Sequence, residues 1–248
     1  MYKFKNKSIL ITGGTGSFGK AFLKKIIDSK LGFKKIAIYS RDELKQFELQ
    51  NLYPRDKYPY LRFFIGDIRD KDRFAFSIKD IDIVIHAAAL KQVEISEYNP
   101  FEFVNTNIIG TQNVVDACLA SKVERAILVS TDKAVAPENL YGATKLCAEK
   151  IFINTNNIKG SQKIDFAVVR YGNVFGSRGS VIPTFLEQLK SGILKITNKE
   201  MTRFSITLDD SVKLVEWSLA NCYGAEIVVP KIPSYRITDL AKSICSSC

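Results

Sequence analysis

The chain has 248 residues, 46% of them hydrophobic and 25% charged, with a formal net charge of +10. That balance excludes a disordered chain and is enough for a sizeable core in one large or two small domains. No apolar run approaches the roughly 20 residues of a membrane span. The positive charge is scattered without a basic block, which points to phosphorylated small molecules rather than nucleic acid or a membrane.

Met1 to Gly14 runs straight into a strand with no signal-peptide layout, so a cytoplasmic location is expected. Strands and helices then alternate: a strand over 7–12, a helix over 17–28, a strand over 35–39, a helix over 43–52, a strand over 61–65 and a short helix. A fourth strand over 81–86 is followed by one helix from about Phe101 to Ala120. A central strand at 127–129 comes next, then a helix over 141–156 and a sixth strand over 165–170. The apolar runs ILIT, IVIHAAA and AILVS suit strands buried on both sides. The order predicts an α/β fold, a Rossmann-type doubly wound parallel sheet. Residues 1–169 are read as a dinucleotide-binding domain that also carries the catalytic groups, and 170–248 as a smaller, incomplete substrate region.

The first turn is Gly13-Gly14-Thr15-Gly16-Ser17-Phe18-Gly19, between a strand and a helix. Glycines there let the backbone turn tightly and approach a pyrophosphate at a helix N-terminus. An acidic residue at the end of the second strand would bind the ribose of NAD. This chain instead has Ser40, Arg41 and, a little further on, Lys45. A hydroxyl and two cations suit a 2′-phosphate, so NADP is expected; the competing reading has Arg41 paired with Asp42 or Glu43. Asp67 and Ile68 are placed to meet the adenine, and Ala87, Ala88 and Ala89 are small enough for the cofactor to lie on the backbone. His86 reads as a packed core histidine. Asn105 and Asn107 are either solvated or brace the site.

Residues 127–145 are the centre of the chain. A strand ends in Ser130, Thr131, Asp132 and Lys133, and Tyr141 opens a helix that carries Lys145 one turn later. The i, i+4 spacing puts Tyr141 and Lys145 on one face. Tyrosine is a poor base near its usual pKa of about 10, and a cation beside it would stabilise the phenolate. The pair is therefore a candidate proton-transfer device for an alcohol being oxidised.

Beyond 170, a polar glycine-rich loop containing Asn173 and Arg178 precedes a helix from about Ile182 to Lys190 and could hold a second anion. Met201 to Phe204 adds a cation and an aromatic face, and Asp209 and Asp210 read as helix N-terminal acids. Cys118, Cys147 and Cys222 lie in apolar helical contexts and read as buried free thiols. Cys245 and Cys248 form a Cys-x-x-Cys, but with a single histidine the ligands for zinc are too few, and no metal is expected.

The stretches SRDELKQFE, FFIGDIRD, HAAALK, EYNP, STDKA, NLYGATKL, RYGNVFGSRGSV, MTRF and VPKIPS, from about residue 8 to 242, together resemble the inverting UDP-N-acetylglucosamine 4,6-dehydratases of the extended short-chain dehydrogenase/reductase superfamily. The resemblance implies a tightly held NADP and UDP-N-acetylglucosamine as substrate. It further implies oxidation at C4, loss of water across C5 and C6, reduction at C6 and re-protonation of C5 on the opposite face, as the first step of pseudaminic acid synthesis. It assigns Thr131, Asp132, Lys133, Tyr141 and Lys145 to catalysis, with Val174 beside the cofactor. Lys91, Asn173, Arg178, Gly179, Ser180, Val181, Thr197, Met201 and Arg203 fall to the substrate side. Lys133 stands where retaining dehydratases of the superfamily have Glu, and the expected roles are Lys133 as C5 base and Asp132 as C6 acid.

Two departures accompany the resemblance. Gln92-Val93-Glu94 replaces a His-Val-Pro-like stretch, and the family continues past the position of Cys248 through an Arg-Pro-Gly-Glu-Lys-like segment that holds the UDP part. Active-site residues intact but UDP-sugar affinity weakened is the resulting expectation; a homo-oligomer is implied by the resemblance to the extended superfamily. The alternatives are a 4-epimerase, which would leave Asp132 and Lys133 idle, and an NADP-binding scaffold without turnover.

Overall fold

A computed structural model describes residues 3–175 and 181–246. In chain order the elements are β1 (Ser8–Thr12), α1 (Ser17–Asp28), β2 (Lys35–Ser40), α2 (Glu43–Leu52), β3 (Leu61–Ile65), α3 (Lys71–Ser77), β4 (Ile83–His86), α4 (Val93–Tyr98) and α5 (Pro100–Phe103). A π-helical segment (Val104–Ile109) leads to α6 (Gly110–Leu119), β5 (Arg125–Thr131), a 3-10 turn (Asp132–Ala134), α7 (Leu140–Ile158) and β6 (Asp165–Tyr171). The remainder is β7 (Asn173–Val174), α8 (Val181–Leu189), β8 (Thr202–Ile206), α9 (Leu208–Asn221), β9 (Ile227–Val228), β10 (Ser234–Arg236) and α10 (Ile237–Ser246).

Seven strands form one parallel sheet in the order β3-β2-β1-β4-β5-β6-β9. Alternate side chains feed two cores, because successive residues of a strand face opposite sides. Ile9 and Ile11 pack with Phe22 and Leu23 of α1 and Val212 and Val215 of α9, while Leu10 packs with Phe74 of α3, Val114 of α6 and Phe152 of α7. This is the doubly wound Rossmann-type sheet the sequence predicts. Its strand order reverses between β1 and β4, which opens a crevice at their C-terminal ends.

Three features differ from the sequence reading. The single helix expected from Phe101 is interrupted by the π-helical segment, which turns Thr106 and Asn107 inward to burial. Residue 170 is not a cut in space: α9 lies back against α1 and β5, and β9 pairs with β6 at the sheet edge. Cys147 is exposed, not buried, because it sits two residues after Lys145 on the opposite, outward side of α7. A satellite layer of β7, β8 and β10 with α8 and α10 packs beyond the sheet, around buried Phe185, Ile237 and Ala241.

Candidate active site

The glycine turn sits in the crevice. Gly13 has φ +65, and a Cβ there would lie 2.9 Å from Ala88 Cα; one at Gly19 would lie 2.4 Å from Gly14 Cα. Only glycine lets β1, α1 and the alanine strip after β4 approach this closely. Gly16 caps α1 without a side-chain hydrogen bond, and the first turn has no acidic residue. The α1 amides therefore present a positive end suited to phosphate. Near the end of β5, the buried Ser130 hydroxyl has no hydrogen-bond partner among the described residues. These observations fit a dinucleotide lying over Gly13–Gly19 and the end of β5.

A closed hydrogen-bond chain holds this floor. Thr12 Oγ1 accepts from the amides of Ala87 and Ala88, each at 3.1 Å, and lies 2.8 Å from His86 Nδ1. His86 Nε2 lies 3.0 Å from Thr111 Oγ1, which donates to the Asn107 carbonyl at 2.6 Å. That chain requires the proton on Nε2, with Thr12 donating to Nδ1. Burial, reinforced by the nearby Lys145 charge, lowers the His86 pKa to about 3, so the ring is neutral. Asn107 clamps the Leu90 peptide from both sides: Oδ1 accepts its N–H and Nδ2 donates to its carbonyl, each at 2.9 Å. Asn107 Nδ2 also donates to Thr144 Oγ1 at 3.0 Å, tying the loop after β4 to α7. Of the two readings of Asn107, bracing is the one the geometry carries.

At the end of β2, Ser40 Oγ lies 2.7 Å from Thr15 Oγ1. Arg41 reaches Asp67 at 3.3 Å, not Asp42 or Glu43, and its side chain is half exposed. Lys45 pairs with Asp42, and Arg69 makes the closer contact to Asp67, 2.7 Å. Ile68 is buried against Gly110 in the core on the α6 side, and its carbonyl accepts from Asn113 Nδ2 of α6 at 3.0 Å.

β5 ends at Thr131, and Asp132 and Lys133 occupy the 3-10 turn, which frees both from the strand alternation that would send them to opposite faces. The Thr131 hydroxyl donates to Asp132 Oδ1 at 2.9 Å. Lys133 Nζ donates to the same oxygen and to Asn173 Oδ1, both at 3.1 Å. Asn139 caps α7 by accepting from the Gly142 amide at 2.9 Å. A Cβ on Gly142 would lie 2.2 Å from the Lys133 carbonyl oxygen, so this glycine lets the helix carrying Tyr141 press onto the turn carrying Lys133.

Burial pushes the Tyr141 pKa up to about 12; its hydrogen bond with Thr131 draws it back, and the Asp132 charge adds to the rise. Burial lowers Lys145 to about 8 against the upward pull of Glu149. Lys145 Nζ donates to the Val129 carbonyl at 2.9 Å. The protein alone thus holds Tyr141 as a neutral phenol, and the expected lowering of its pKa by Lys145 is absent from the balance of forces on it.

Thr131, Asp132, Lys133, Tyr141 and Asn173 are brought into one network, with Lys145 a turn below. Lys91, Thr197 and Arg203 are exposed, and Arg203 donates to the neighbouring Thr202 carbonyl at 3.0 Å. Met201 packs in the satellite core with Val181, and Val174 pairs in register with Ile206. Arg178, Gly179 and Ser180 lie outside the described residues. Sequence reasoning missed Glu149 and Arg170, a buried ion pair beside Lys145, and Tyr171, which is buried next to Thr131 in strand register. The continuing spacing Tyr141, Lys145, Glu149 was the available signal for the first of these.

A family model described as polysaccharide biosynthesis protein matches residues 9–248. The inverting UDP-N-acetylglucosamine 4,6-dehydratase of Campylobacter jejuni subsp. jejuni serotype O:2 is 53% identical over 243 residues, which cover 97% of this chain and 72% of that protein. A UDP-glucose 4-epimerase of Rickettsia canadensis is 43% identical over 97% of this chain and 71% of its own. Among solved structures, Pen from Bacillus thuringiensis superposes with a TM-score of 0.92 at 42% identity, over 99% of this chain and 75% of that one.

Proposed function

Since the chain belongs to the inverting UDP-N-acetylglucosamine 4,6-dehydratases, polysaccharide biosynthesis proteins of the extended short-chain dehydrogenase/reductase superfamily, we propose that it dehydrates UDP-N-acetylglucosamine to a 4-keto-6-deoxy sugar with inversion at C5, using NADP. The observation that carries the reading is the Thr131–Asp132–Lys133 turn, hydrogen-bonded as one unit beside Tyr141. A simple alcohol dehydrogenase has no use for an additional acid and base there.

In this reading Tyr141 takes the proton of the 4-hydroxyl, and Thr131 hydrogen-bonds the oxygen as it becomes a carbonyl. The ketone acidifies the C5 proton, which Lys133 accepts once its own proton has passed to Asp132. Asp132 then delivers a proton to the departing C6 hydroxyl, so one proton circulates within a coupled pair. Bound NADP supplies the hydride acceptor for C4 and donor for C6, and its cationic ring provides the positive charge that makes the Tyr141 phenolate accessible. Gly13–Gly19 would hold its pyrophosphate, Ser40, Arg41 and Lys45 its 2′-phosphate, and Lys145 its nicotinamide ribose. The choice of NADP over NAD is supported by the absence of an acidic residue at positions 40 and 41. Assembly as a cytoplasmic homo-oligomer, acting at the start of pseudaminic acid-type sugar synthesis, completes the proposal and rests on the resemblance.

The 4-epimerase reading is favoured by the names of relatives such as the Rickettsia canadensis protein. Mass spectrometry separates the two. Protein incubated with UDP-N-acetylglucosamine in heavy water should yield a product lighter by one water with deuterium at C5. An unchanged mass would overturn the dehydratase reading, and chromatographic separation of a C4 epimer from the substrate would then tell an epimerase from a scaffold without turnover.

A further inference from the structure

Tyr141, Lys145 and Glu149 stand at successive i, i+4 positions of α7 and form one stripe along its buried face. Glu149 is 1% exposed, yet it is a carboxylate. Arg170, near the C-terminal end of β6 and one strand in from the sheet edge, grips it in a fork: Nε donates to Oε1 at 3.0 Å and Nη2 bonds Oε2. Arg170 is the register partner of Ser130, whose neighbour Val129 supplies the carbonyl on which Lys145 Nζ rests. The fork and the lysine anchor are thus fixed to adjacent positions of β5 and β6.

We propose that Glu149, held in place by Arg170, is a positioning residue for Lys145, presenting from beneath the carboxylate that keeps the ammonium in place at the dinucleotide site. A buried ion pair is weak as a stabiliser, since an apolar pair of equal volume commonly serves packing as well or better. Its placement one turn below Lys145 gives it another use. The groups that face Lys145 are His86 from β4, the Val129 carbonyl from β5, and Tyr141 and Glu149 from its own helix. His86 is neutral and Tyr141 is a neutral phenol, so Glu149 is the anion among them, and Arg170 locks its orientation without taking it from the stripe. The pull of Glu149 on Lys145 opposes the loss of charge that burial favours. The inference rests on Lys145 serving a nicotinamide site and not on which sugar reacts there.

The test is the titration of Lys145 itself, followed by NMR of 13C-lysine-labelled protein without sugar, with its resonance assigned from Lys145→Met. In Glu149→Gln the resonance should titrate at least one pH unit lower than in the wild type, and NADP binding should weaken at a correspondingly lower pH. Glu149→Asp should restore most of both. A second variant, Glu149→Gln with Arg170→Met, removes the charges together and keeps the volume, so it reports where Glu149→Gln alone fails to fold. An unchanged Lys145 titration in a folded variant of either kind would overturn the proposal and leave the pair a structural staple. Because no sugar is present, an epimerase or an inactive protein would give the same answer, and the dehydratase reading stands or falls separately.

Discussion

The floor of the site and the satellite layer beyond it are built on different terms. Around His86, the Thr12, Thr111 and Asn107 side chains are each tied to named partners, and the floor lies between two continuous cores that sandwich the seven-stranded sheet. In the satellite, three buried side chains, Phe185, Ile237 and Ala241, gather partly exposed neighbours around a three-stranded sheet. Groups proposed to make and break bonds sit on the first; several expected to touch substrate, among them Thr197 and Arg203, sit exposed on the second. The contrast teaches that the proposed bond chemistry is anchored where packing leaves the least freedom, while the residues proposed for sugar recognition stand on a thinner layer with few buried contacts to hold it.

The seam between the two proposed reacting parts is where that contrast is easiest to break. Gly142→Val would push a side chain into the Lys133 carbonyl, since even a Cβ would stand 2.2 Å from that oxygen. Displacing the turn by about 1 Å should cost turnover on the order of 100-fold or more. Dinucleotide binding at Gly13–Gly19 should survive. Steady-state sugar turnover alongside calorimetric NADP binding reads both, and near-normal turnover would mean the turn and helix are not rigidly coupled.

A cut in the satellite should act differently. Phe185 is 3% exposed at the centre of its small core, and replacing a buried Phe by Ala costs about 3–5 kcal/mol. Phe185→Ala should loosen residues 181–206 to limited proteolysis while the main unfolding transition, measured by urea, moves far less than that figure. A fall of the main transition by the full amount would show that the satellite and the sheet are one cooperative unit.

How far the sequence was readable follows the same division. The strand runs ILIT and AILVS and the turn Gly13–Gly19 announce themselves locally, because apolar continuity and glycine spacing are properties of adjacent residues. The pairing of Tyr141 with Lys145 on one helix face is local in the same sense. The π-helical segment is not, since its payoff is a clamp by Asn107 on Leu90, 17 positions earlier. Glu149 and Arg170 meet only because β6 lies beside α7, and Arg41 found Asp67 on a neighbouring loop in place of the adjacent acids. Lys145 shows the limit most plainly: its spacing from Tyr141 was legible, but its burial against Val129, which decides its charge, depends on the packed sheet.

That burial gives the most diagnostic effect, spread over the widest range of conditions. Folded, Lys145 titrates near 8; unfolded, near 10.5. Below 8 both states carry the proton and above 10.5 neither does. Between them the unfolded chain binds more protons, so Lys145 makes stability rise with pH across that window, by at most about 1.4 kcal/mol per unit. Urea midpoints at pH 7.5, 9 and 10 should therefore climb in the wild type relative to Lys145→Met, in which this contribution is absent. Parallel curves would mean that Lys145 keeps its ordinary affinity for the proton and that the floor is wetter than its packing implies. The Phe185→Ala chain should follow the wild-type curve, because its lesion lies in the satellite and leaves the lysine's surroundings untouched.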